Sequence, residues 1–138
     1  MPMRMRQYLR MDWHAAMPFG GLLGIELVGE PAPEEVRARL EWREDLCTAG
    51  GLLHGGALMG LADSAGGLCA FLNLPDGASG TATIQSGTSF LRPVREGYAE
   101  ATSRPLSVGR NVIAVTTDVV DARGRPVAHV VQSQAVLR

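Results

Sequence analysis

Residues 50–67, Gly-Gly-Leu-Leu-His-Gly-Gly-Ala-Leu-Met-Gly-Leu-Ala-Asp-Ser-Ala-Gly-Gly, combine a glycine-rich start, an apolar repeat of helical period and a single acid, Asp63. At about 100° per residue, Leu58, Leu61, Ala62, Ala65, Leu68, Cys69 and Leu72 fall on one broad face, the pattern of a helix packed into a core. Asp63 falls opposite, on a stripe shared with Gly56, Gly60, Gly67 and the small Ala70. An interior glycine costs a helix about 1 kcal/mol relative to alanine. Three on one stripe therefore imply close approach of another backbone or a ligand, and an acid in so narrow a groove is a candidate for chemistry.

The segments around this helix have the pattern of strands. Gly24–Glu30 is a short strand candidate ended by Pro31-Ala-Pro33, and Val36, Ala38, Leu40 and Trp42 alternate with Arg37, Arg39, Glu41 and Arg43 as a half-buried strand. The two make a hairpin. The helix, from about His54 to Leu72, ends before Asn73-Leu-Pro-Asp-Gly77. Beyond it Thr81–Phe90 is β-prone, and Tyr98–Ser107 follows with Pro105 marking an edge or a bulge. Val112–Val120 and Val127–Leu137 then pair across Asp121-Ala-Arg-Gly-Arg-Pro126. The order β-β-α-β-β-β-β predicts one α+β domain over all 138 residues, in which a sheet face and the helix stripe bury each other. The sheet's second face and the glycine stripe predict a dimer.

Composition removes several functions. All thirteen cations are arginine, and without lysine there is no Schiff-base or pyridoxal-phosphate chemistry and no phosphate-loop lysine. A net charge of -1 with no basic run argues against nucleic-acid binding. Met1–Arg10 holds no apolar run of signal-peptide length, and no stretch approaches the roughly 18 apolar residues needed to span a bilayer. We therefore expect a cytoplasmic protein without a membrane partner. Cys47 and Cys69 are too few for a disulfide framework, and His14, His54 and His129 lack metal-ligand spacing, so neither metal nor cofactor is expected. Cys69 suits core packing. Ser64 lacks the Gly-x-Ser-x-Gly elbow and lies in mid-helix, which excludes a serine hydrolase. Met1, Met3, Met5, Met11 and Met17, with Trp13, form a loose amphipathic lead-in without a chemical signature.

Gly51-Leu-Leu-His-Gly-Gly56 followed by Asp63 resembles the hot-dog-fold acyl-CoA thioesterases, specifically the PaaI-type branch of the thioesterase superfamily. Ser89-Phe-Leu-Arg-Pro-Val94 resembles that family's third strand and its exit, and Val108-Gly-Arg110 with Asp121-Ala-Arg-Gly-Arg-Pro-Val-Ala128 resembles its closing hairpin. The likeness covers most of the chain. It implies a curved antiparallel sheet wrapped around one long central helix, a homodimer paired sheet edge to sheet edge or a tetramer of two such dimers, and sites between subunits.

The resemblance also implies roles. Asp63 matches the carboxylate that acts as general base or nucleophile at the thioester carbon, and Gly55 the residue whose N–H polarises the carbonyl. Independently of any family, an N–H in a first helical turn is unpaired and sits at the positive end of the helix dipole. His54 either positions the thioester oxygen or caps the helix. Thr83 stands where relatives carry a hydroxyl that orients water or the acid from the partner subunit. Thr48 stands where relatives often carry asparagine, keeping a donor but losing the amide's reach.

Coenzyme A carries about four negative charges at neutral pH, so a nearly neutral chain must gather arginines locally. The substrate-binding candidates are Gly56, then Arg92 and Arg95 with Pro93 and Val94 between them, and Arg110 with Val108, Gly109 and Asn111 beside it. Arg123 and Arg125, on a hairpin tip, rank below them. The expected activity is hydrolysis of a small or medium acyl-CoA, aryl or aliphatic, to the acid and CoA. Two alternatives stand beside it: a dehydratase or hydratase on the same fold, using His54 or Asp63 for proton transfer, and a non-catalytic acyl-CoA-binding module.

Overall fold

One long helix carries the chain from one side of a sheet to the other. In the computed structural model, which describes residues 12–138, the elements are α1 (Trp13–Ala16), α2 (Pro18–Leu23), β1 (Glu26–Leu27), β2 (Val36–Glu41), α3 (Gly55–Leu72), β3 (Gly80–Phe90), β4 (Tyr98–Val108), β5 (Val112–Asp121) and β6 (Pro126–Leu137). A 3-10 turn at Glu44–Leu46 precedes α3. All neighbouring strands are antiparallel, in the order β1-β2-β4-β5-β6-β3. The crossover through α3 therefore leads from β2 to the far edge, where β3 pairs with β6 alone among the described strands.

This is the expected strand and helix order with two short helices added in front. Asp12 Oδ1 accepts from the His14 and Ala15 N–H groups to cap α1, Pro18 opens α2, and Gly24 at φ 78 closes it. Runs of four and six residues are too short to show a helical period. The strand expected over Gly24–Glu30 shrinks to Glu26–Leu27, since Gly24 belongs to the α2 cap and Gly29 turns the chain at φ 69. It still forms a hairpin with β2. Pro105 sits at a bulge in the β4–β5 ladder and beyond Ser103, the last β4 residue that β2 reaches, so its missing N–H falls on a locally open edge. Of the methionine-rich lead-in, Met1, Met3, Met5 and Met11 lie outside the described residues.

The seven residues of the α3 apolar face are all buried, and all but Ala62 belong to one core cluster with Val36, Ala38 and Leu40 of β2, Ala99 and Ala101 of β4, and Ile113 and Val115 of β5. Each large aliphatic side chain buried in this way contributes roughly 1.5–3 kcal/mol. Burial pushes the Cys69 thiol up to about 12, which removes it as a nucleophile. Contrary to the sequence expectation, α3 is long and apolar enough by composition to cross a membrane, yet 61% of it is buried inside this fold as its core helix.

On the opposite sheet face, Arg37 and Arg39 of β2 hold Glu100 of β4 at 2.8 and 2.9 Å, and Arg39 lies over the Tyr98 ring. Burial pushes the Glu100 carboxyl up, but the hydrogen bonds and charges of the two arginines outweigh it and leave the group below its ordinary value. The β3 strand differs from its neighbours. It is exposed along nearly its whole length, with Ile84 and Phe90 60% and 52% exposed, and such an edge is a template for pairing with another chain.

Candidate active site

His54 is the residue that starts α3. Its Nδ1 accepts the Gly56 N–H at 2.7 Å, which fixes the imidazole as a helix cap and leaves the neighbouring Gly55 N–H without an acceptor among the described residues. Just upstream, Gly50 and Gly51 have φ of 83 and 76, a conformation that side chains resist. They reverse the chain so that the Thr48 N–H bonds the Leu52 carbonyl at 2.8 Å and the Leu53 N–H bonds the Val94 carbonyl at 2.9 Å. Thr48 and Gly55 thereby share a cavity of about 380 Å³ with Phe90, Leu91, Arg92 and Pro93.

Asp63 lies two turns further along α3 and opens into a different cavity, of about 390 Å³, lined by Trp13, Met17, Gly67, Leu68, Phe71, Thr83 and Gln134 among others. Its Oδ1 accepts two hydrogen bonds, from Thr83 Oγ1 at 2.7 Å and from Gln132 Nε2 at 2.9 Å. Gln134 Nε2 in turn donates to Thr83 Oγ1 at 2.7 Å. Oδ2 receives no hydrogen bond among the described residues. Asp63 and Thr83 are exposed in the single chain, whereas Gln132 and Gln134 are 0% and 1% exposed. The expectation that Thr83 reaches the acid from a partner subunit is corrected: it bonds Asp63 of its own chain. The β3–β6 register shifts between Thr83 and Gln85, leaving Thr83 directly opposite Gln134 on the helix-facing side.

The glycine stripe divides into separate tasks. A Cβ at Gly60 would meet Leu23 and Phe19 at 3.0 and 3.2 Å, so α2 packs onto bare helix there, while Gly67 faces open space in the Asp63 cavity. Gly66, beside that stripe, lies under the Gln132 amide, and a Cβ there would overlap Gln132 Oε1.

A third cavity, of about 520 Å³, gathers Arg92, Pro93, Val94, Arg95, Glu96, Arg123 and Arg125. Arg92 and Pro93 line both this basin and the Thr48–Gly55 cavity, which makes the two neighbours. Arg125 is paired with Asp121 at 2.8 Å. Burial pushes the Asp121 carboxyl up, and hydrogen bonds from Arg125 and the Arg123 N–H outweigh that effect and hold it low. Arg92, Arg95 and Arg123 have no carboxylate within ion-pair distance among the described residues.

This grouping differs from the expected one. Arg123 and Arg125 join Arg92 and Arg95, but Arg110 does not. Val108, Gly109, Arg110 and Asn111 stand at the far end of the 11-residue β4, more than about 30 Å from Gly97, so within one chain they cannot meet the same anion. Their turn is tied instead to Arg138, which donates to the Arg110 carbonyl at 2.8 Å and to Asn111 Oδ1 at 3.4 Å.

Gln132, Gln134, Trp13 and Phe71 join the site unannounced by the sequence expectations. The glutamines carried a signal: they occupy inward positions of β6 in step with Val130, where alternation calls for apolar side chains. Trp13 and Phe71 carried none, because only the fold brings α1 against the end of α3.

An antiparallel sheet wrapped on one long helix, with an acid on the helix's open stripe and an unpaired N–H at its start, is the hot-dog architecture of thioester hydrolases. Residues 50–128 match the family model of the thioesterase superfamily, and the chain belongs to that family. It is 30% identical over 120 residues to Rv1847 of Mycobacterium tuberculosis, covering 81% of this chain and 85% of that one. The solved structure of Rv1847 superposes with a TM-score of 0.84 at 27% identity, over 88% of this chain and 98% of that one. HI1161, a thioesterase of Haemophilus influenzae, superposes with a TM-score of 0.81 at 25% identity, over 87% and 82%. The PaaI protein of the phenylacetic acid degradation operon of E. coli shares the fold, with a TM-score of 0.85 over 98% and 94% at 17% identity.

Proposed function

We propose that this thioester hydrolase acts on small or medium acyl-CoA, aryl or aliphatic, at sites completed by two subunits. The observation that carries the proposal is the separation of the Gly55 N–H and the Asp63 carboxylate into different cavities, about 12 Å apart along one helix. Oxyanion donors act within about 3 Å and a nucleophile or base acts from about 3–3.5 Å, so these two groups of one chain cannot serve one carbonyl. The open β3 edge, which carries both Thr83 and Phe90, supports a homodimer in which one subunit's Gly55 faces the partner's carboxylate; association of two dimers gives the tetramer.

In this site the carbonyl oxygen lies against the Gly55 N–H and the Thr48 hydroxyl. Asp63 Oδ2 takes a proton from water as the water oxygen bonds to the carbonyl carbon. The oxyanion that forms collapses, the C–S bond breaks, and the leaving thiolate takes the proton back from Asp63. Direct attack by Oδ2, giving an acyl-enzyme anhydride that water then hydrolyses, balances equally well. Either route needs only water and side chains, with no metal or redox cofactor, and suits the cytoplasm.

The two cavities that share Arg92 and Pro93 support a path for CoA along these residues, with its phosphates at Arg92, Arg95 and Arg123. The Trp13–Phe71 cavity beside Asp63 supplies room for the acyl group. The Arg110 turn, with Val108, Gly109 and Asn111, is a candidate only for CoA held by another subunit. The test is release of free thiol from a panel of short, medium, long and aromatic acyl-CoAs by the wild type and by Asp63→Ala. Thiol release that depends on Asp63 supports the proposal. Turnover without thiol would favour the hydratase alternative, and tight binding without turnover the binding module.

A further inference from the structure

We infer that Gln132 and Gln134 are positioning residues that lock Asp63 through Oδ1 and so make Oδ2 the reacting oxygen. The inference rests on the proposal that Asp63 is the reacting carboxylate.

Both glutamines come from β6, two residues apart and therefore on one face, and both are almost wholly buried where the strand otherwise turns apolar side chains to α3. Burying an amide in such a place is unfavourable unless it is hydrogen-bonded. Each amide nitrogen is used. Gln132 Nε2 donates directly to Asp63 Oδ1 at 2.9 Å, and Gln134 Nε2 donates to Thr83 Oγ1 at 2.7 Å.

The second contact decides the direction of the hydroxyl. Thr83 has one proton, and with its oxygen accepting from Gln134 that proton is delivered to Asp63 Oδ1, 2.7 Å away. Gln134 thus acts on the acid only through Thr83, while Gln132 acts on it directly. Two donors on one oxygen fix the carboxylate plane and leave the other oxygen toward the cavity.

The arrangement has a visible cost, which argues that Gln132 is held for this contact. Its Oε1 is buried without a partner among the described residues, and it fits over α3 only because position 66 is glycine. An apolar residue at 132 would avoid both penalties but could not hold Asp63.

The experiment measures steady-state thiol release for Gln132→Met and Gln134→Met, and for Gln134→Met combined with Thr83→Ser and with Thr83→Val. Gln132→Met should lower kcat about tenfold or more, the scale for loss of a hydrogen bond to a charged group, with KM within about twofold. Gln134→Met should lower kcat in the wild type and in Thr83→Ser, which keeps the hydroxyl, but should have no further effect in Thr83→Val. A merely structural glutamine would cost activity in all three backgrounds, and that result, or a change confined to KM, overturns the inference. Should Gln132→Met fail to fold, the Gln134–Thr83 cycle decides alone. Asp63→Ala, assayed alongside, separates the two levels. If it stays active, the choice of Asp63 fails. If it is inactive while both methionine variants keep wild-type kcat, only the positioning role fails.

Discussion

The Gly55 N–H and the Asp63 carboxylate stand two turns apart on one helix and open into separate cavities. In the proposed dimer, the helix that supplies the polarising donor to one carbonyl supplies the acid to another, so that one chain holds two half-sites. This explains why Asp63 and Thr83 are exposed in the single chain although the groups that hold them, Gln132 and Gln134, are buried. Replacing Asp63 with alanine removes an exposed side chain but takes the acceptor from the buried Gln132 amide. It should lower kcat by about two or more powers of ten, the scale for loss of a general base, with an unchanged circular dichroism spectrum and a melting temperature only modestly lowered by the orphaned amide. Activity within tenfold of wild type would contradict the role.

Gly66 gives a steric route to the same carboxylate. A Cβ there overlaps Gln132 Oε1, so Gly66→Ala must displace the amide that donates to Asp63. Alanine favours helix by about 1 kcal/mol over glycine, which opposes the packing loss in stability but does nothing for the displaced amide. We predict kcat reduced about tenfold with KM little changed. Wild-type kcat in a folded Gly66→Ala protein would show that Gln132 can move without consequence.

The arginine basin predicts a dependence on the nucleotide end of the substrate. Arg95→Ala and Arg92→Ala, which line the basin, should each raise KM for acyl-CoA several-fold and leave kcat near wild type, because in the proposed site they meet phosphates rather than the carbonyl. With the corresponding acyl-pantetheine, which lacks the nucleotide, neither substitution should matter. Arg110→Ala should have a smaller effect than either if each CoA lies within the basin of one chain. Equal losses on the two substrates would place these arginines outside the phosphate site.

Acid sensitivity follows from Glu100 and Asp121, whose carboxyls are held below their ordinary values in the folded protein. A depressed carboxylate stabilises the fold above its unfolded value, about pH 4, and that contribution disappears as pH falls through the folded value. The melting temperature should be flat from pH 7 to 5 and fall below about pH 4. Glu100→Gln removes the group that titrates between Arg37 and Arg39, so its melting temperature should start lower and decline less steeply with acid. Parallel declines in the two proteins would refute the assignment.

The sequence reading succeeded where periodicity is long. Eighteen residues of α3 and ten or more in each of β3 to β6 repeat their pattern often enough to be read, and the spacing from His54 to Asp63 put the acid on the helix face away from the core. It failed where meaning depends on three-dimensional neighbours. Arg110 and Arg95 look alike in sequence, and only the length of β4 sets them at opposite ends of the sheet. The contacts of Thr83 within its own chain are not legible in sequence, because nothing local says that β6 will deliver Gln134 opposite it and α3 will carry Asp63 beneath it. Trp13 entered the acid's cavity through a four-residue helix that has no period to detect.

Subunit complementation tests the division of the site most directly. Gly55→Pro removes the N–H at a helix position that tolerates proline, with the exposed Phe90 ring as its nearest obstacle, and Asp63→Ala removes the acid. Each variant alone should be nearly inactive. After unfolding and refolding together in equal amounts, half of the dimers are mixed, and each mixed dimer has one site with both groups intact. The mixture should therefore recover about a quarter of wild-type activity. No recovery, with mixed dimers verified by differential tagging, would mean that Gly55 and Asp63 do not meet across subunits.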